Sequence, residues 1–417
     1  MRKKLKDLPL ILLFSAIALS PSFSVGRFGG GKIIEIRIED ILIVILGLIW
    51  LVNILISGKK RLEKPPLFFP ILIWLSIGFV SVLTNWFFRN LSFDRGFFYF
   101  LKCLEFFIFY FYIFYHLKNI ESAKFITNFL IFLGTVNVGY VVYQAITGLQ
   151  VGEYGAGAVG ERGVFPTGAF FLIFFVFFLN IFLYYFLNLN ISILKKGILG
   201  IIAMGPALGV FGSDSKTNFL GLVFALFLTL FFLFLRKKSF KLILVSILIL
   251  ILVAFIFIFA LNHIRFVSRL FPMFFPSRII ADFIRGRLIF IKPVFKEALE
   301  RPLFLFFGSG IGYLGESHNQ YVRNLVETGI IGSLAFLFLI WIIIKKSFKI
   351  YSKSRDGFSL GLSAGLLVAT LTMLFLSVAT DSFIVVKLAS VYWSFTAVTM
   401  AVIYVNQREY LRHYNKS

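Results

Sequence analysis

Residues 164–187, VFPTGAFFLIFFVFFLNIFLYYFL, carry no charged side chain and no break in their apolar run. Wound as a helix at about 1.5 Å per residue, such a stretch exceeds the roughly 30 Å of a bilayer's hydrocarbon layer. Working outward, the same pattern recurs along the chain, over approximately 8–25, 38–57, 67–86, 96–115, 125–147, 197–212, 217–235, 242–260, 320–344, 358–378 and 383–405. These runs are too long and too continuously apolar for barrel strands, which are shorter and alternate. Hydrophobic residues make up 59% of the 417 and Phe alone accounts for 57, with a mean hydropathy of +0.93. An ordinary soluble domain is excluded. The expectation is an all-α polytopic membrane bundle of about twelve transmembrane helices, forming one domain over residues 1–417 with a single long insertion at 261–319. No short internal repeat or low-complexity tract divides it.

The net charge of +23 does not point to nucleic acid, because the basic residues fall in short clusters between apolar runs. Loops 1–7, 58–66, 116–124, 188–196, 236–241, 345–357 and 406–417 together hold 24 Lys and Arg; loops 26–37, 87–95, 148–163, 213–216 and 379–382 hold 7. The positive-inside rule places the first set and both termini in the cytoplasm, and the long loop 261–319 outside. Residues 1–25 also fit a signal peptide, with a basic start, an apolar stretch and small residues at Ser20–Gly26. Retention as the first span is the preferred reading. The one cysteine, Cys103, lies inside an apolar run, so neither a disulfide nor a cysteine metal site is expected.

Few polar residues stand at the external ends of the spans: Arg162, Lys216, Arg287 and His318. Arg offers a planar fork matched to phosphate oxygens, Lys a point charge, and both act more strongly in a nearly dry site. Histidine is the usual residue for taking a proton from a hydroxyl near neutral pH. The set suits transfer of a group from a membrane-bound diphosphate. Interfacial anchoring is the competing role for Arg162 and Lys216, snorkelling for Arg287, and interfacial packing at a helix start for His318. Within the loop, Ile284, Leu288, Ile291, Phe295 and Ala298 make an apolar stripe of a helix lying along the membrane surface, with Arg287 on the apolar side. Gly308–Gly312 has no strand before it and is read as a tight turn near the site, not a nucleotide loop. Arg323 with Glu327, and Lys102 with Glu105, are spaced for intrahelical pairing. Asp381 is left open between a structural role and tuning the site.

His318-Asn319, nine residues, Gly329, two residues and Gly332 resemble the signature that the O-antigen ligase family shows at the end of its long periplasmic loop. Arg162-Gly163 with Pro166, Ser215-Lys216, Gly286-Arg287 and Gly308-Ser309-Gly310-Ile311-Gly312 follow in the family's order, so the motifs cover roughly residues 160–345. That family and the related O-antigen polymerases share a twelve-span-like bundle and this long loop. The resemblance implies a metal-independent, cofactor-free, inverting glycosyltransferase of the bacterial cytoplasmic membrane with a periplasmic active site. Its donor is a glycan on undecaprenyl diphosphate; its acceptor is the lipid A core in ligases and another carrier-linked glycan in polymerases. By that carry-over His318 activates the acceptor, Arg287, Lys216 and Arg162 hold the diphosphate, and Gly310, Gly312 and Asn319 shape the site. Lys216 departs from the family, which usually has Arg there, so a bidentate grip is lost. Polymerase is the runner-up, protein glycosylation a third possibility, and a flippase or transporter for the same lipid the rival from another class.

Overall fold

The computed structural model describes residues 7–19, 22–27, 33–56, 64–89, 93–147, 164–213, 215–237, 302–314 and 319–414. Most of the expected loop 261–319, and the expected span 242–260, lie outside them. The elements, in chain order, are α1 (Leu8–Leu19), β1 (Ser22–Arg27), β2 (Ile33–Arg37), α2 (Ile38–Ile56), α3 (Phe68–Arg89), α4 (Phe93–His116), α5 (Ile120–Thr147), α6 (Val164–Tyr184), α7 (Ile193–Gly212), α8 (Lys216–Lys237), α9 (Pro302–Phe307), α10 (Gln320–Lys353), α11 (Gly357–Leu376) and α12 (Val386–Tyr414). Among the described residues, nine of these helices are long and apolar enough to cross a membrane. The protein is an all-α, multi-pass membrane bundle.

Two expectations need correction. The first span, expected over 8–25, is a helix only to Leu19, and the chain then enters an antiparallel hairpin pairing Ser22–Arg27 with Ile33–Arg37. Twelve residues of helix rise only about 18 Å, short of the hydrocarbon layer. Ser20–Gly26 is rich in small residues, and the β-branched Ile33, Ile34 and Ile36 opposite supply the strand preference. Helix α10 runs on to Lys353, so the basic residues Lys345, Lys346 and Lys349, expected in a loop, ride on its last turns.

Helices α6, α11 and α12 form the centre, with most of their residues shielded by other helices. Gly357, Gly361 and Gly365 make a stripe along α11 that meets α6: a side chain at Gly361 would press on the Ile181 backbone, and one at Gly365 on Phe177. Small residues at four-residue spacing let membrane helices approach closely where lipid gives no hydrophobic drive to association. Phe177 in turn stacks on Phe395 of α12 at 3.9 Å. Several hydroxyls buried in these helices are satisfied within them, as in Ser363 to Ser359 O and Thr396 to Tyr392 O. Peripheral faces of α2, α3 and α7 expose Leu48, Ile49, Phe69, Leu72, Ile201 and Leu208, a surface suited to lipid chains.

Contacts between helix ends sort the connections into two groups. At one end His116 meets Asp7 (3.0 Å), Arg236 donates to the carbonyls of Tyr351 (3.1 Å) and Ser352 (2.9 Å), and Asn406 donates to Ser359 (2.9 Å). At the other, Gln320 N donates to Ser377 O (3.0 Å), Arg95 reaches Tyr313 O (3.5 Å) and Asn218 donates to Phe165 O (2.8 Å). The first group lies at the Lys- and Arg-rich loops; the second lies at the sparsely basic ones and, through Tyr313, at the end of the long loop 261–319.

Candidate functional site

Asn319 opens α10 at the second of these ends. Its Oδ1 accepts from the backbone amides of Tyr321 (3.0 Å) and Val322 (3.1 Å), the usual action of an N-cap, while Nδ2 ties the helix start to Val378 O (3.1 Å). His318, the residue before it, lies outside the described residues, as do Arg162 and Arg287. Lys216 is the first residue of α8, whose start lies at the same end: Asn218 bonds the start of α6, and Gly221 abuts Leu376 at the end of α11.

Helix α10 is broken near its start. Gly329 has φ 68° and ψ −170°, a conformation essentially reserved for glycine, and a Cβ there would collide with the Phe306 carbonyl. The break frees carbonyls that a continuous helix would satisfy, and in a membrane they need other partners. The glycine turn supplies them: Ser309 N donates to Val326 O (2.6 Å) and Gly310 N to Glu327 O (3.1 Å), with the Ser81 hydroxyl also bonded to Glu327 O. Gly308, Gly310 and Gly312 all have positive φ. At Gly312 a side chain would also overlap the Tyr99 ring. The turn read from the sequence is therefore a plug fitted to the broken helix, and the signature glycine Gly329 marks the break.

Against this junction lies a cavity of about 240 Å³, lined by α10 (Arg323, Asn324, Glu327, Thr328), the turn (Ile311, Gly312), α4 (Phe98, Tyr99, Lys102, Cys103, Phe106), Trp74 of α3, Arg37 of β2, and Ile384 and Val386. Its charges are organised around two cations. Arg323 faces Asp381 through Nε (3.3 Å) and Glu327 through Nη1 (3.6 Å). Lys102 pairs with Asp40 and with Glu105 (3.3 Å), and its Nζ also lies 5.7 Å from the Phe98 ring centre. Arg37 approaches Glu39 (3.8 Å), and its backbone N–H donates to Asp40 Oδ2 (2.8 Å). Glu39 and Asp40 sit in the first turn of α2, where the helix dipole favours negative charge. Glu327 also meets the backbone amides of Gly312 and Leu314, which fixes the turn to α10.

The intrahelical pairs Arg323–Glu327 and Lys102–Glu105 match the sequence spacing. Their cross-element partners, Asp381 and Asp40, were not assigned from the sequence, and nothing local marks them, because each comes from an element distant in the chain. Chemically, the junction can orient a polar ligand beside the start of α10, with aromatic walls and fixed hydrogen-bonding groups. Its cations are already matched by carboxylates, and Glu39, Asp40, Glu105, Glu327 and Asp381 outnumber Arg37, Lys102 and Arg323. It is a compensated polar pocket and not a concentrated positive one.

The fold and this junction define a class, a multi-pass helical membrane protein with a charged, aromatic-walled cavity at one end of its bundle. No protein-family model matches the chain, and no curated protein matches it.

Proposed function

We propose that the protein is a glycosyltransferase of the O-antigen ligase type, moving a glycan from undecaprenyl diphosphate to the lipid A core at the periplasmic face of the cytoplasmic membrane. One observation carries this reading: the two helical turns that follow His318-Asn319 wall a polar cavity, so the candidate base precedes in sequence the element that builds the pocket. In the proposed reaction the acceptor hydroxyl attacks the anomeric carbon of the donor sugar from the face opposite the diphosphate. His318 takes the hydroxyl proton, the new C–O bond forms, and the bond from the anomeric carbon to the phosphate oxygen breaks. The leaving diphosphate keeps its electron pair, and Arg287, Lys216 and Arg162 stabilise its charge. The cations of the cavity are not assigned this task, since carboxylates already neutralise them. Polymerisation uses the same donor and chemistry with a carrier-linked acceptor.

A second reading, export of the lipid-linked glycan, is favoured by a specific observation. A helix broken inside the membrane beside buried ionisable residues is a recurrent feature of transporters. Against it, Arg37, Asp40, Arg323 and Asp381 stand near one end of the bundle, with Lys102, Glu105 and Glu327 deeper along their helices. The glycolipid pattern of cells lacking the gene, complemented with wild type or His318→Ala at equal expression, separates the readings. A ligase leaves full-length polymer on its carrier when lost, a polymerase leaves core with a single repeat, and a transporter is fully complemented by His318→Ala.

A further inference from the structure

The far end of α10, away from the cavity, carries cations that the described residues leave unanswered. Trp341, Lys345, Lys349 and Lys353 follow at four-residue spacing, which sets them in one row along the helix, and all four are exposed. Trp341 (58% exposed) begins the row, and Phe348 (48%) lies beside it. Counted from the cap Asn319 at about 1.5 Å per residue, α10 reaches Trp341 after roughly 33 Å, where the roughly 30 Å of hydrocarbon ends. That is the level at which Trp side chains anchor membrane helices. The three lysines follow within the headgroup layer and just beyond it.

Three ordinary roles do not account for the row. Pairing does not, because none of Lys345, Lys349 and Lys353 meets a carboxylate among the described residues. At this end Asp7 is held by His116 (3.0 Å) and Glu121 by Lys124 (3.3 Å), while Asp356 accepts from Ser359 N (2.8 Å) and Oγ (2.7 Å). The helix dipole favours a cation in the last turn, which covers Lys353 alone, and the terminal carbonyls of Tyr351 and Ser352 already take Arg236 (3.1 and 2.9 Å). Topology requires cations on this side but no particular spacing. Like charges four residues apart oppose the helix, so the row is favoured where anions from outside the chain reach it. Phosphate-bearing headgroups are such anions and lie at this depth. The apolar Trp341 and Phe348 beside the lysines suit the acyl boundary of a membrane better than the surface of an acidic protein.

We propose that this row is a docking surface for anionic phospholipid headgroups of the cytoplasmic leaflet, held by Lys345, Lys349 and Lys353. It is independent of the transfer chemistry. The test is quenching of tryptophan emission in the full-length protein, in bilayer discs of phosphatidylcholine and phosphatidylglycerol with bromine on the acyl chains of one lipid or the other. The signal of Trp341 is the difference between each protein and the same protein carrying Trp341→Phe. Phosphatidylglycerol should be preferred at Trp341 by at least about fivefold, the attraction of one cation. The triple variant K345Q/K349Q/K353Q should bring the preference near parity, while Lys195→Gln, which removes another exposed cation at the start of α7, should leave it unchanged. Raising salt from about 0.01 M to about 1 M, which shortens the screening length from about 30 Å to about 3 Å, should do to wild type what the triple substitution does. Inorganic phosphate should displace no more lipid than chloride at equal ionic strength. Parity in wild type, which would leave the row to an acidic protein, would overturn the docking surface. So would a preference that survives the triple substitution or high salt, an equal fall with Lys195→Gln, or displacement specific to inorganic phosphate.

Discussion

Arg323 and Lys102 each stand between two carboxylates, one from their own helix and one from a distant element. Removing one partner from such a buried group leaves the others uncompensated, which typically costs about 3–5 kcal/mol. Arg323→Ala is therefore expected to lower stability by that order, measured as thermal unfolding in detergent. Lys124→Ala, which loses the 3.3 Å pair with the 84% exposed Glu121 and a contact of Nζ with the Tyr185 ring at 5.8 Å, should shift it by no more than about 1 kcal/mol. Sequence spacing revealed one half of each network, since residues three or four apart on a helix are neighbours wherever the helix goes. Asp40 and Asp381 stayed unassigned because their partners depend on how α2 and the α11–α12 connection pack. His318 and the proposed diphosphate-binding residues Arg287, Lys216 and Arg162 were legible as candidates in the sequence, while the described structure adds the cavity walled by the first turns of α10.

At the scale of the element, the break in α10 separates glycines that are needed from glycines that are not. Gly329→Ala would force a side chain into a backbone conformation that only glycine tolerates and against the Phe306 carbonyl, costing at least about 2 kcal/mol. Gly139, inside α5, has open space around its Cβ position, so Gly139→Ala should stabilise by about 0.5–1 kcal/mol. Equilibrium unfolding of the two variants side by side checks both signs. Gly329 and Gly332 were legible as part of a motif, but the pattern of apolar residues runs straight through them, so the break itself was not. The hairpin was missed for a related reason. Its first strand follows an apolar run directly, and a window of span length absorbs it. The stripe Gly357, Gly361 and Gly365 is plain in the sequence as a spacing, yet only the packing identifies α6 as the helix it meets.

For the whole molecule, the alternation of charge along the chain and the grouping of helix ends are independent observations with the same partition. The account places the end holding Ser354 in the cytoplasm and the end holding Thr380 outside. The native Cys103 is buried, so single cysteines can be introduced against a quiet background. In intact cells permeable to small reagents at the outer surface, a membrane-impermeant maleimide should label Thr380→Cys and spare Ser354→Cys until the membrane is lysed. The reverse pattern would invert the topology and put the cavity on the cytoplasmic side.

The most direct measurement is made without any membrane to cross. Purified protein in detergent is given undecaprenyl-diphosphate-linked glycan and lipid A core, with wild type compared to His318→Ala. The account predicts a covalent glycan–lipid A product with release of undecaprenyl diphosphate from wild type, reduced at least about a hundredfold by His318→Ala. Wild type that forms no product from either acceptor, core or carrier-linked glycan, yet moves the donor across a sealed vesicle, would contradict it.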